Sequence, residues 1–179
     1  MTIPSTWTCS CCGKVHSGLP LDYGMAFPDY FVDWRSGLSE EEIGRRSFCN
    51  SDVCTVDDQY YFVRGVIEIP IIGFSEDQFR WGAWVSLSKK SFDEVMELWD
   101  KDSGHGPYFG WLNNALPLYS PSTLELKTNV HLQSNKLRPR IELEPTDHPL
   151  AVEQRNGISI ERVQEIAAAL LHKARPWTK

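Results

Sequence analysis

The sequence predicts an α+β fold: a one-sided antiparallel sheet covered by helices, with an N-terminal cysteine knuckle. Three observations carry that expectation. Apolar and polar residues alternate in segments near 60–69, 79–88, 124–132 and 140–144; amphipathic helical stripes follow the second segment and close the chain; and the cysteines, at 9, 11, 12, 49 and 54, all fall in the first third. Period-two alternation marks strands with one face in a core and one in water, and helices are the usual cover for the apolar face.

Taken in order, residues 9–37 read as a knuckle followed by an irregular aromatic loop rich in Gly, Pro and Asp. Ser39-Glu40-Glu41-Glu42 is a capping box that opens a short helix to about Ser47, with acids at its positive end and Arg45 and Arg46 at the other. From Tyr60 to Ile69, Tyr61, Val63, Ile67 and Ile69 share one face, and Arg64 and Glu68 the other. Pro70 cannot donate to a ladder, so it is expected to end this strand or lie on an edge. From Phe79 to Ser88 the apolar side is Phe79, Trp81, Ala83, Val85 and Leu87, and the other side Arg80, Gly82, Trp84, Ser86 and Ser88. Ser91-Phe92-Asp93-Glu94 reads as a second capping box, opening a helix striped by Phe92, Val95, Met96 and Trp99.

The segment from Asp102 to Pro121 is punctuated by Gly and Pro and holds Tyr108, Phe109, Trp111 and Tyr119, so it reads as a loop that packs back on the domain or lines a site. Leu124, Leu126, Val130 and Leu132 alternate with polar residues as a half-buried strand, and Ile141 and Leu143 mark another. Asn156-Gly157 is a turn before a final helix capped by Ser159, whose stripe is Val163, Ile166, Ala167, Leu170, Leu171 and Ala174.

With 179 residues, 41% of them hydrophobic and 23% charged, the chain is expected to form a single domain, 1–179. This composition excludes disordered, collagen-like and low-complexity classes. The longest apolar stretch, Val66 to Phe74, is interrupted by Glu68 and Pro70 and is too short for a membrane span. The first residues carry neither a basic start nor an apolar signal core, so a cytoplasmic location is expected. The net charge is −6, and residues 1–80 hold 12 acids against 6 bases while the remainder is balanced. An acidic chain repels phosphate backbones, so no nucleic-acid partner is expected. The basic cluster His172, Lys173, Arg175 and Lys179 suits the end of a helix.

The odd cysteine count and the expected reducing compartment argue against a disulfide framework and for metal. Cys9-x2-Cys12-Gly13 has the spacing at which two thiolates grip one zinc ion, the glycine permitting the positive φ that turns backbone amides toward sulfur. Cys54 is the natural third ligand, with Cys49 or His16 as the fourth; 9–54 is thus a metal-binding region integrated with the domain. Plain reduced core cysteines and a thioredoxin-like redox pair are the competing readings, the latter lacking a strand before Cys9.

Several segments taken together resemble a bacterial family catalogued as domain of unknown function 2199. The resemblance rests on Cys9-x2-Cys12-Gly13-x2-His16-x-Gly18-Leu19-Pro20, Ser51-Asp52-x-Cys54, Trp81-Gly82-x-Trp84-Val85-Ser86-Leu87 and Pro107-Tyr108-Phe109-Gly110-Trp111-Leu112. It continues through Leu126-Lys127-Thr128-x-Val130-His131 and the run from Ile141 to Gln154. The resemblance implies a small cytosolic bacterial protein and supplies no reaction, substrate or partner. It also implies Cys9, Cys12, His16 and Cys54 as the metal set. The family pattern has an apolar residue at position 49, which leaves Cys49 as an alternative fourth ligand, and Cys11 is likewise a departure.

The polar sheet face, with Arg64, Glu68, Trp84, Lys127, Asn129, His131, Arg140 and Glu142, reads either as a solvated face with cross-strand ion pairs or as a binding or acid–base site. His148 follows a carboxylate-rich run and precedes Pro149, which favours an extended backbone; it is an acid–base candidate or part of a turn. His105, between two glycines, reads as a loop residue. H-E-x-x-H, Walker and G-x-S-x-G motifs are missing from the sequence. Two functional classes follow. One is a binding or interaction protein with structural zinc, whose protein partner meets the aromatic segment at Tyr108, Phe109 and Trp111 or the acidic N-terminal part. The other is a small zinc hydrolase with an open metal position and Asp52 as base.

Overall fold

The chain begins with a small hairpin, β1 (Thr6–Thr8) and β2 (Val15–Ser17), which stands apart from the main sheet. The computed structural model describes residues 2–101, 105–134 and 136–172. After the hairpin come β3 (Asp22–Gly24), α1 (Asp29–Trp34), α2 (Glu40–Arg46), β4 (Ser47–Cys49) and β5 (Val53–Val56). The two long strands β6 (Tyr60–Ile71) and β7 (Phe74–Leu87) follow, then α3 (Lys89–Leu98), β8 (Tyr108–Leu112), β9 (Lys127–His131), β10 (Arg140–Leu143), α4 (Pro149–Asn156) and α5 (Ile160–His172).

Among the described residues the main sheet has eight strands in the order β3-β7-β8-β9-β10-β6-β5-β4, and β6 and β7 also pair with each other. Its ladders are antiparallel except for β3–β7 and for β10, which meets β6 in parallel at Arg140 and Val66. Strands β6 to β10 therefore close a ring of pairings, extended by β5–β4 on one side and β3 on the other. Gly65 permits the closure: a Cβ there would collide with Ile141 and with the carbonyl of Pro139.

The β6–β7 register reproduces the alternation of the sequence. Val63 faces Val85, Ile67 faces Trp81 and Ile69 faces Phe79, and all are buried in the main core with α3, α4 and α5. Burying so continuous an apolar set is the main favourable contribution to this fold. The opposite face pairs Phe62 with Ser86, Arg64 with Trp84 and Glu68 with Arg80. One end of that face is not solvated. Phe62 and Trp84 are fully buried beneath Phe31 of α1, with Trp34 and Ile43 packed around them. Asn113 and Asn114 hold α1 there: Asn114 donates to Asp29 and accepts from the Trp84 backbone N–H, and Asn113 accepts from Tyr30.

The α+β class is therefore correct and the one-sided sheet is not. The helical cover over Trp84 comes from Asp29–Trp34, a six-residue helix too short to show a periodic stripe in a segment that reads as irregular. Other elements also depart from expectation. Pro70 lies inside β6, where the ladder shifts register between Pro70 and Ile71, which accommodates a residue without an N–H. Strand β8 lies within the segment read as an aromatic loop, and α4 forms where the sequence predicts no helix. The capping box at Ser39 is present in full, whereas α3 is capped one turn earlier than expected: Ser88 accepts from the Ser91 N–H, immediately after β7 ends. Ser159 accepts from the Arg162 N–H at the start of α5. Asp102, Lys173, Ala174, Arg175 and Lys179, named from the sequence, lie outside the described residues.

Candidate metal centre

The hairpin of β1 and β2 is a frame for its own loop. Trp7 and His16 are cross-strand partners and their rings stack at 5.3 Å. Trp7 is buried in the main core and its indole donates to the Gly18 carbonyl, so the hairpin is anchored at its base. Between the strands, the Cys9 N–H donates to Lys14 O and the Gly13 N–H to Cys9 O, both at 2.9 Å. Gly13 takes φ +68°, as the knuckle reading requires. This tight turn places the sulfurs of Cys9 and Cys12 on one side, with the His16 ring beside them on β2.

A fourth group comes from the far end of the fold. His172, the last residue of α5, brings Nε2 to 3.3 Å from the Cys9 sulfur, while His16 Nε2 lies 3.5 Å from the Cys12 sulfur. One ligand atom from each of Cys9, Cys12, His16 and His172 falls within 4.8 Å of the others, an arrangement able to hold a metal ion. Burial pushes the Cys9 thiol up, but hydrogen bonds from the Cys12 and Cys11 backbone and the Cys12 thiol outweigh it and hold Cys9 below its ordinary value. The site thus favours the thiolate that a metal needs.

Cys54 is not among these residues. It sits on β5 directly opposite Cys49 on β4, and the two form a disulfide at the edge of the second core. The physical reason is register: a five-residue separation around the β4–β5 turn makes them cross-strand neighbours, and both side chains point toward Phe62 and Trp84 rather than toward the knuckle. Cys49 is likewise removed from the ligand group, and a bridge stands where reduced cysteines were expected. Cys11 is exposed and free.

The proposed binding face is also divided. Trp84 is in the second core, and His148 caps α4: its Nδ1 accepts from the Leu150 N–H at 3.1 Å and its Nε2 bonds the Pro121 carbonyl at 3.0 Å. With both ring nitrogens engaged, His148 positions backbone. His131 and Glu142 remain outward, 2.7 Å apart, and Glu68 lies 4.0 Å from Arg80. Asp52 is held by the Arg138 Nε at 2.7 Å. The residues whose site roles sequence reasoning missed, His172 and Arg138, are partners distant along the chain; the local signal at His172 was only its place in a basic cluster at the end of the final helix.

The fold and site together define an α+β protein with a ringed, two-sided sheet and a Cys–Cys–His–His group joining its first hairpin to its last helix. The chain belongs to the family described as "Uncharacterized protein conserved in bacteria (DUF2199)", which it matches over residues 8–158. The matched stretch contains Cys9, Cys12 and His16, and His172 lies beyond it. No curated protein and no solved structure matches the chain.

Proposed function

We propose that this is a non-catalytic binding protein whose structural zinc, held by Cys9, Cys12, His16 and His172, staples the N-terminal hairpin to α5. The observation that carries the reading is the convergence of the four ligand atoms within 4.8 Å. Tetrahedral zinc with thiolate at about 2.3 Å and imidazole at about 2.0–2.1 Å has a sulfur-to-nitrogen edge of about 3.5 Å. The sulfur–nitrogen separations of 3.3 and 3.5 Å agree with that edge. Two thiolates and two imidazoles suit zinc over hard cations such as magnesium.

Four protein ligands leave no position for a reacting water, which favours a structural role over hydrolysis. Asp52, the base a hydrolase reading would use, is occupied by Arg138. The binding surface proposed for a protein partner is the outward side of β8, where Phe109 and Trp111 stay 46% and 42% exposed.

The test is metal analysis of protein purified without added metal, combined with thermal melts. About one zinc per chain is expected, with chelation lowering Tm by about 10 °C or more, because a ligand bound only to the folded state stabilises it by mass action. The Cys9→Ser, Cys12→Ser double variant is expected to lose both. A metal-free wild type with an unchanged melt after chelation would refute the reading.

A further inference from the structure

Arg64 stands where the buried and polar ends of the outer sheet face meet, opposite Trp84 in the β6–β7 ladder. Its guanidinium lies over Gly24 and Gly82, which face each other on β3 and β7; a Cβ at Gly24 would collide with its Nη2. The glycines thus form a notch that admits a guanidinium and nothing larger behind it, which gives Gly82 a reason within an otherwise well-packed strand.

The notch removes water from Arg64 without supplying a carboxylate. Its Nε is buried with no hydrogen-bond partner among the described residues, and Nη1 reaches only the Ser51 carbonyl, at 3.5 Å. Arg138 converges on the same carbonyl, its Nη2 at 3.4 Å, and its Nε takes Asp52 at 2.7 Å. Two cations therefore share one carbonyl and one carboxylate. Burial and then the neighbouring Arg138 push the Arg64 guanidinium below its ordinary value, and Asp52 offsets this only in part. A pair of like charges held together with N–H donors left over is costly unless something negative completes it. Arg138, but not Arg64, also borders a cleft of about 560 Å³ whose walls carry Arg80 and Lys136 as well as Asp52 and Glu68.

We propose that the Arg64–Arg138 pair is a binding site for a small oxyanion, the carboxylate or phosphate end of a small molecule whose remainder occupies the cleft that Arg138 borders. Guanidinium forks match two acceptor oxygens at once, and a dianion neutralises both cations where Asp52 neutralises one. The site is independent of the metal group: none of its residues belongs to the knuckle or to α5.

Calorimetric titration of the full chain as purified, at constant ionic strength, tests this with sodium phosphate in one arm and sodium malonate in the other. Saturable binding of at least one is expected by about 20 mM, an ordinary range for an isolated fragment of a larger ligand. Saturation by phosphate alone assigns a phosphate end, and by malonate alone a carboxylate end. Arg138→Gln is expected to weaken binding roughly tenfold or more, since a charge-assisted hydrogen bond is lost. The Arg138 side chain is 39% exposed, so this variant is expected to keep the wild-type Tm in the absence of ligand. Arg64→Met, which removes the second cation of the pair, is expected to abolish binding. No saturation in either arm, or equal affinity in Arg138→Gln, would overturn the proposal.

Discussion

Single residues show where chemistry follows spacing and where it follows register. Asp57 belongs to the second kind, since the β4–β5 register that pairs Ser47 with Val56 sets it beside Arg46. In the turn after β5 its carboxylate takes two hydrogen bonds from Arg46, at 2.7 and 2.9 Å, and one from the Trp34 indole at 3.0 Å. The Arg46 hydrogen bonds chiefly, and Trp34 after them, hold Asp57 below the usual carboxylate range against the opposing effect of burial. Its folded value lies below its unfolded value of about 3.9, so the unfolded chain binds the proton first as pH falls. The stability from this contact is fully present above about pH 4 and is lost as pH falls through the lower folded value. Asp57→Asn is therefore expected to lower stability at neutral pH and to flatten the acid limb of a stability-against-pH curve measured by urea unfolding. A variant curve parallel to wild type below about pH 4 would contradict this account. Cys54 is of the same kind. Residue type and spacing alone cannot say that it faces Cys49 across a hairpin, and a ligand set chosen by proximity along the chain could not reach His172, separated from Cys9 by 163 positions.

At the scale of elements, long alternating segments were legible and short ones were not. The faces of β6 and β7 follow from alternation because each strand spans enough residues for the pattern to be unambiguous, and tertiary packing agreed with it. Strand β8 was hidden because Gly106, Pro107 and Gly110 punctuate it; Gly110 is needed there, since a Cβ would collide with Val85 and the Ser86 carbonyl. Helix α1 was hidden by its brevity, yet it decides the character of the outer face, since Phe31 covers Trp84 and Phe62. Phe31 is 3% exposed, and Phe31→Ala is expected to cost about 3–5 kcal/mol in denaturant unfolding. A cost below about 1 kcal/mol would mean that α1 rests on the sheet without stabilising it.

At the scale of the whole molecule, the ring of β6 to β10 holds the core, the β5–β6 ladder attaches the β4–β5 extension, within which Cys49 and Cys54 are bridged, and the Cys–Cys–His–His group brings the first hairpin against the last helix. Among the described residues the hairpin forms no ladder with the main sheet and is held by Trp7, Cys9 and Leu19 in the core, so a metal at its tip would add a second attachment. The most direct test compares zinc content in three proteins: wild type, His172→Ala and Cys54→Ser. The account predicts about one zinc per chain in wild type and in Cys54→Ser, and loss or at least a tenfold weakening in His172→Ala. Zinc retained without His172 but lost without Cys54 would contradict it, returning the fourth ligand to the position that spacing alone suggests.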